Sequence, residues 1–158
     1  MSSWLDVALL AVLIVLNGVF AMSEISLVTS RRARLQRLID DKVAGAERAR
    51  ELNADPNRAL STIQVGITSI GILSGIVGES ALARPMEAFL VMVGLSPETA
   101  KAIGLFVVVV LITYFSIVMG ELVPKRIGQI SPERIACRLA PPIHCLSIIA
   151  APFVKLLS

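Results

Sequence analysis

The segment with the clearest chemical potential is Gly120-Glu-Leu-Val-Pro-Lys-Arg126, which closes a long apolar run that begins near Ala102. A carboxylate at membrane depth, such as that of Glu121, costs several kcal/mol unless a cation, a partner or water compensates it. Pro124 has no backbone N–H, so a helix that continues through it leaves the carbonyl of Gly120 without its helical donor. A carboxylate beside a free carbonyl supplies part of an oxygen-ligand site for a hard cation.

A second interpretation of the same segment remains open. Glu121 and Lys125 are one helical turn apart and could form an ion pair at the membrane interface. The segment alone favours neither the cation site nor the interfacial pair.

Polar side chains in the two earlier apolar stretches add oxygen atoms to this set. Gln64 and Thr68 are one helical turn apart in the second stretch, and Ser23 lies in the small, polar half of the first. With Glu121 and the Gly120 carbonyl they form a candidate metal-ligand set that suits Mg²⁺, Ca²⁺ or Na⁺, and not Zn²⁺ or Cu⁺. For each hydroxyl, the alternative is a bond to the carbonyl four residues earlier in its own helix.

The composition places these residues in a membrane protein. Of the 158 residues, 55% are hydrophobic and only 4% are aromatic, so the apolar content is mainly aliphatic and lies in long runs. This composition predicts an all-α, polytopic membrane domain with three or four helices. No nucleotide-binding loop, catalytic triad or zinc motif is present, so we expect neither an enzyme nor a nucleic-acid partner. Cys137 and Cys145, on either side of His144, are expected to be packing thiols.

Charge placement predicts the topology. We expect membrane spans at about 5–28, 60–78 and 101–123, with juxtamembrane helices at about 31–52 and 132–157. The arginines directly after the first span mark the cytoplasmic side, which places the N-terminus outside a plasma (inner) membrane. The stretch 79–98, with more glutamate than arginine, is expected to be an outer loop.

Capping signals and proline positions divide the second half of the chain. Ser96-Pro97-Glu98 predicts the start of the third span, and Ser131-Pro132-Glu133 repeats the pattern for a short helix. Pro141-Pro142 is expected to end that helix. The following run, 143–157, suits an interfacial or re-entrant segment, with a fourth crossing as the alternative.

Three motifs resemble the transmembrane domain of the CNNM/CorC family, which includes hemolysin-like bacterial proteins. The first is Asn17-Gly-Val-Phe-Ala-Met-Ser-Glu-Ile-Ser-Leu-Val28 followed by Arg31-Arg32-Ala33-Arg34-Leu35. The second is Thr62-Ile-Gln-Val-Gly-Ile-Thr-Ser-Ile-Gly-Ile-Leu-Ser-Gly75, and the third is Gly120-Glu-Leu-Val-Pro-Lys125, which is similar to the family's Gly-Glu-x-x-Pro-Lys signature. The likeness covers about the whole chain.

The resemblance implies a homodimer of three-helix protomers that transports Mg²⁺, with efflux coupled to Na⁺ entry. Family members usually continue into cytoplasmic CBS domains, which are absent from residues 1–158. By position, Glu121 matches the family's carboxylate ligand. Many members carry Gly-Asn-Asn or Gly-Asn-x in the second helix where this chain reads Gly66-Ile67-Thr68, so either Thr68 or Gln64 replaces the amide, or the substrate differs.

Three functional hypotheses follow. The leading one is a divalent-cation transporter that works by alternating access of an oxygen-lined site near Glu121. The second is a dimeric membrane anchor or sensor that does not transport and signals to soluble domains. The third is a pore, which the scarcity of continuous polar faces disfavours. Gly71 and Gly75, a small-xxx-small pair, favour close helix contact in all three.

Overall fold

The computed structural model describes residues 3–157, with side chains over 4–57 and 59–148. Within these residues it contains helices and no strand. The α-helices are α1 (Ser3–Thr29), α2 (Arg32–Asp40), α3 (Ala46–Ala54), α4 (Pro56–Gly78), α5 (Arg84–Met92), α6 (Pro97–Ile117), α7 (Val123–Ile130) and α8 (Pro132–Leu157). Two single π-helical turns join neighbouring helices: the first bulge (Glu79–Ala83) links α4 to α5, and the second bulge (Val118–Leu122) links α6 to α7.

Three helical runs among the described residues are long and apolar enough to cross a membrane. They are Trp4–Thr29, Ala59–Met92 and Pro97–Ile130. Their outward faces carry many exposed aliphatic side chains, as expected for helices surrounded by lipid. The prediction of an all-α protein with three spanning helices is confirmed.

The prediction of an outer loop at 79–98 is wrong for most of this stretch, because residues 79–92 are helical. The helix that begins with α4 continues through the first bulge and α5, so only a short turn, 93–96, connects it to α6. Ala81, Leu82 and Ala83 favour helix. The first bulge ends two residues before Pro85. Its wider π-helical turn accommodates the proline ring, so the helix continues through Pro85. Ser96 caps α6 as predicted, because its Oγ accepts a hydrogen bond from the backbone N–H of Thr99.

The juxtamembrane segment expected as one helix at 31–52 is two helices. A turn between Asp40 and Ala46 separates α2 from α3, and two of its residues, Lys42 and Gly45, have positive φ angles of 56° and 81°. Gly45 is required there for a second reason: a Cβ at this position would clash with the carbonyl oxygen of Cys137 in α8.

The expectation that Pro141-Pro142 ends a short helix is also wrong, because α8 runs unbroken from Pro132 to Leu157. Pro141 removes the N–H that would bond the Cys137 carbonyl. The α2–α3 turn covers that carbonyl, with Gly45 lying directly against it. The α2–α3 turn therefore packs against the carbonyl of α8 that has lost its helical hydrogen bond.

The main hydrophobic core lies at the juxtamembrane end of the molecule. There α2, α3 and α8 pack around the adjoining ends of α1 and α4. The buried residues of this core are Leu27, Leu35, Ala46, Ala49, Leu52, Ala59, Ile63, Ala136, Cys137, Ala140 and Ile143. The juxtamembrane helices thus hold the first two spans together, while α1 also packs against the second bulge and α7.

Candidate functional site

The second bulge and the start of α7 pack closely against α1. A Cβ at Gly18 would lie 2.9 Å from Cγ of Pro124, and a Cβ at Gly120 would lie 3.2 Å from the side-chain nitrogen of Asn17. Glycine at both positions therefore lets the two helices approach within van der Waals contact. This close approach is what brings the polar side chains of α1 to the bulge.

The carbonyl of Gly120, predicted to lose its helical donor to Pro124, has a partner on α1. The side-chain Nδ2 of Asn17 donates a hydrogen bond to it at 3.1 Å. The other end of the same amide, Oδ1, is buried and has no hydrogen-bond partner among the described residues. Between α1 and the second bulge, the Gly120 carbonyl is thus hydrogen-bonded, and Oδ1 of Asn17 remains a free acceptor among the described residues.

Lys125 lies between two carboxylates. Its Nζ is 2.6 Å from Oε1 of Glu121 and 3.3 Å from Oε2 of Glu24. All three side chains are partly buried, with exposed fractions of 31% for Lys125, 43% for Glu121 and 24% for Glu24. The ion pair between Glu121 and Lys125 that the sequence left as an alternative is therefore formed, and a second carboxylate, from α1, is added to it.

The charges of this cluster do not cancel. Two carboxylates and one ammonium leave a formal charge of −1. A partly buried site of this kind favours a further cation, because water and salt screen its charge less than they screen a fully exposed pair. We refer to Asn17, Glu24, Gly120, Glu121 and Lys125 as the polar seam.

Ser23 lies next to Glu24 in sequence but does not join the seam through its hydroxyl. Its Oγ is buried and donates to the carbonyl of Val19 at 2.7 Å, the local bond available to any helical serine. Ser26 does the same with Met22 at 2.7 Å and also reaches the carbonyl of Gly128 in α7 at 3.4 Å. The hydroxyl of Ser26 therefore contributes to packing between α1 and α7, whereas, among the described residues, that of Ser23 bonds only within α1.

Gln64 and Thr68 lie on an exposed face of α4. They line an open surface cavity of about 320 Å³ together with Ser61, Val65 and Ser69. α1 packs against α4 on one side and against the second bulge on another, and the described residues of α4 and of the bulge make no substantial contact with each other. Gln64 and Thr68 therefore do not lie beside Glu121 within one protomer.

Two residues of the seam were not in the predicted ligand set. Asn17 and Glu24 are seven residues apart, two helical turns, and so share one face of α1. A polar pair at that spacing within an apolar span is the signal that could have identified them. Which helix they would face was not readable from the sequence, because Gly120 is 103 residues from Asn17.

The atoms of the polar seam that could coordinate a metal ion are all oxygens. Among the described residues, no group of three or more His, Cys, Asp or Glu side chains is placed to hold a metal ion. Two carboxylates match the number that proteins supply to Mg²⁺, which keeps several of its own waters and needs only one or two carboxylates.

The remaining candidates lie away from the seam, near α3 and α8. Cys137 is buried as expected, whereas Cys145 is exposed, which corrects its assignment as a packing thiol. Both ring nitrogens of His144 lie close to the guanidinium of Arg48, at 3.1 and 3.3 Å, so this histidine contacts α3.

Comparison with known proteins agrees with the sequence motifs. The family described as "Cyclin M transmembrane N-terminal domain" matches residues 8–158. The UPF0053 protein sll0260 of Synechocystis sp. is 43% identical over 153 residues, which are 97% of this chain and 34% of that protein. The UPF0053 protein YhdT of Bacillus subtilis is 33% identical over 150 residues, 95% of this chain and 32% of that protein.

A third relative has a functional name. The "Polyamine export protein" of Escherichia coli K12 is 32% identical over 142 residues, 90% of this chain and 32% of that protein. The chain spans about a third of the length of these curated relatives. Since the family match covers nearly the whole chain and its three spans, the chain belongs to the CNNM family, as a cyclin M transmembrane N-terminal domain.

Proposed function

We propose that this domain transports cations through the polar seam, and that its principal substrate is Mg²⁺, exported by alternating access in exchange for Na⁺. The observation that carries the proposal is the position of Lys125, whose ammonium lies between the carboxylates of Glu24 and Glu121. In this proposal the two carboxylates form the cation-binding site, and in this state the protein's own ammonium lies between them.

Charge balance supports a competition between Lys125 and the substrate. With Lys125 in place the seam has a formal charge of −1, which one monovalent cation neutralises. With Lys125 displaced the two carboxylates have a charge of −2, which one divalent cation neutralises. Uncompensated charge within a span is costly, so each position of Lys125 favours a cation of a different valence. This difference suits an exchange of Na⁺ for Mg²⁺.

The exposed face of α4 supports a homodimer. Gln64, Thr68, Gly71 and Gly75 recur at helical spacing on this face, and a Cβ at either glycine would meet nothing within 4 Å. A polar and small-residue stripe exposed within a span is suited to a second helix rather than to lipid. In such a dimer, Gln64 and Thr68 would be buried and able to serve as ligands or hydrogen-bond partners.

The greater length of the relatives supports a longer protein, of which this domain is one part. The chain covers only about a third of each of these relatives, and on the resemblance to the family we propose that CBS-type regulatory domains make up part of the remaining length. We place these domains on the cytoplasmic side of the plasma membrane, with the N-terminus of α1 outside, on the basis of the arginines that follow α1.

A second candidate substrate is a polyamine. One relative is named a polyamine export protein, and the group held between Glu24 and Glu121 is itself a primary ammonium. An alkylammonium substrate could take the position of Lys125 with the same contacts.

A flux measurement with the chain in proteoliposomes tests the proposal. Mg²⁺ efflux that depends on a Na⁺ gradient and is lost in Glu121→Gln supports the Mg²⁺ function. Putrescine flux without Mg²⁺ flux supports the polyamine function. The absence of flux for both, in a folded protein, would favour the membrane anchor or sensor and contradict the transporter.

A further inference from the structure

A cavity away from the polar seam is lined by arginines. It has a volume of about 520 Å³ and lies between α2 and the junction of α7 with α8. Arg34 and Arg37 line it from α2, and Arg134 lines it from the first turn of α8. The cavity adjoins the end of the Pro97–Ile130 span, and α2 begins shortly after the Trp4–Thr29 span ends. The arginines therefore lie beside the ends of two helical runs that are long and apolar enough to cross a membrane.

The acidic residues of this cavity do not satisfy its arginines. Glu133 is buried, where its Oε1 accepts a hydrogen bond from the backbone N–H of Arg31 at 3.2 Å and its Oε2 lies 3.8 Å from Arg34. Asp41 also lines the cavity, but it is exposed and forms no ion pair among the described side chains. Arg37 and Arg134 are likewise exposed, without a carboxylate partner in the described part of the chain. Two guanidinium groups thus remain available to an anion.

The same cavity has an apolar side. Leu38 and Ile130 line it, and Ile130 is 81% exposed. An isolated phosphate would gain nothing from these side chains, whereas an amphiphile would place its anionic group on the arginines and its acyl chains along the isoleucine. Basic cavities at the cytoplasmic ends of spans are suited to lipid head groups.

We propose that this cavity binds the head group of an anionic phospholipid, with the phosphate between Arg37 and Arg134 and the start of the acyl chains against Ile130. The guanidinium is suited to this role because its planar fork can donate two hydrogen bonds to one phosphate group. Bound in this way, the lipid links α2 to α8. It would therefore stabilise the junction between the spans and the juxtamembrane helices.

The test uses the chain in nanodiscs of phosphatidylcholine, either alone or mixed with phosphatidylglycerol. The readouts are the phosphatidylglycerol that stays bound in native mass spectrometry and the rise in unfolding temperature that it causes. We expect both in the wild type. Arg37→Gln/Arg134→Gln should weaken retention, by about fivefold for each arginine. Arg32→Gln, an exposed arginine of α2 that does not line the cavity, should leave retention unchanged.

Three outcomes would overturn the proposal. The first is equal retention by the double variant and the wild type. The second is an equal loss in Arg32→Gln, which would indicate diffuse surface charge. The third is a full stabilising effect of inorganic phosphate in phosphatidylcholine nanodiscs, which would make the ligand a free phosphate.

If the double variant does not fold, the single variants Arg37→Gln and Arg134→Gln are used for the same measurement. Ile130→Gln should also lower phosphatidylglycerol retention, and an unchanged value would contradict the acyl contact.

Discussion

The side-chain amide of Asn17 donates to the carbonyl oxygen of Gly120 at 3.1 Å, across the contact between α1 and the second bulge. Pro124 cannot supply the helical N–H that this carbonyl would otherwise receive. One side chain of α1 therefore satisfies the backbone of α6–α7 at the point where its helical pattern is interrupted. The orientation of Glu121, the next residue, depends on that turn.

We expect Asn17→Ala to destabilise the protomer by about 1–3 kcal/mol, because it leaves a carbonyl unpaired in an apolar environment. Thermal unfolding in detergent measures the loss. Asn57→Ala, at an exposed asparagine, is the matched control and should have little effect. Equal unfolding temperatures for the two variants would show that the Gly120 carbonyl does not need Asn17.

Charge variants of the polar seam separate a cation site from a structural ion pair. In the cation site, Glu121→Gln and Glu24→Gln should each reduce the Mg²⁺-dependent rise in unfolding temperature, because each removes a negative charge that holds the ion. Lys125→Met should retain or increase that rise, since it removes the competing ammonium. Arg126→Met, the adjacent exposed cation, is the control.

A purely structural ion pair gives the opposite pattern. Lys125→Met would then destabilise the protein as much as Glu121→Gln, and Mg²⁺ would stabilise none of the proteins. That result would remove the main support for transport through the seam.

Two glycine substitutions should separate dimer contacts from packing within a protomer. Gly75→Leu places a side chain where a Cβ meets nothing within 4 Å, so we expect it to weaken the dimer and leave the protomer folded. Gly128→Ala places a Cβ against Cγ2 of Ile25 and should cost about 1–3 kcal/mol of protomer stability through overpacking. Light scattering reports the mass and thermal unfolding reports the stability. A dimer that persists in Gly75→Leu would exclude the α4 stripe from the interface.

The two cysteines should differ in reactivity. Cys145 is exposed, whereas Cys137 is buried in the juxtamembrane core. Burial, and secondarily the nearby Glu133, raise the pKa of the Cys137 thiol, although a backbone hydrogen bond lowers it in part. Maleimide should therefore label the folded wild type once, and Cys145→Ser should abolish that labelling. Rapid modification of Cys137 in the native protein would contradict the packing of α3 against α8.

The raised pKa of Cys137 also predicts a pH dependence. The folded state disfavours the thiolate, so the unfolded chain releases the proton at lower pH than the folded one. The stability from this group is complete below the unfolded pKa and is lost as the pH rises towards the folded pKa. Cys137→Ala should remove this alkaline loss in denaturation experiments.

Impermeant thiol reagents can test the predicted topology. In a background without native cysteines, Glu47→Cys on α3 should react only from the cytoplasmic side, and Met92→Cys at the end of α5 only from outside. Both side chains are exposed, so access from the aqueous phase decides the result. Labelling of Glu47→Cys from outside would invert the topology.

The sequence predicted the features that depend on local patterns. Long apolar runs gave the three spans, and Ser96 was identified as a cap from the residues that follow it. Proline was misleading at Pro141 because the carbonyl it frees is covered by Gly45, a residue of a distant loop. The rule that proline ends a helix considers only neighbouring residues, so it cannot take account of a contact with a residue far away in the sequence.

The candidate site was predictable only in part, for the same reason. Glu121 and the freed Gly120 carbonyl follow from one segment of sequence, and the ion pair with Lys125 is a contact within one helical turn. Asn17 and Glu24 enter the seam through packing of α1 on the second bulge. That packing depends on glycines on both helices, whose partners the sequence does not identify.

The separation of 103 residues between Asn17 and Gly120 has a consequence for biosynthesis. Ribosomes add about 5–20 residues per second, so roughly 5–20 s pass between the synthesis of α1 and that of its partner turn. During that interval the amide of Asn17 and the carboxylate of Glu24 are in the membrane without Gly120 and Lys125. An insertase or chaperone that shields the polar half of α1 would act in this window, and its loss should expose the nascent first span to degradation before the third span is made.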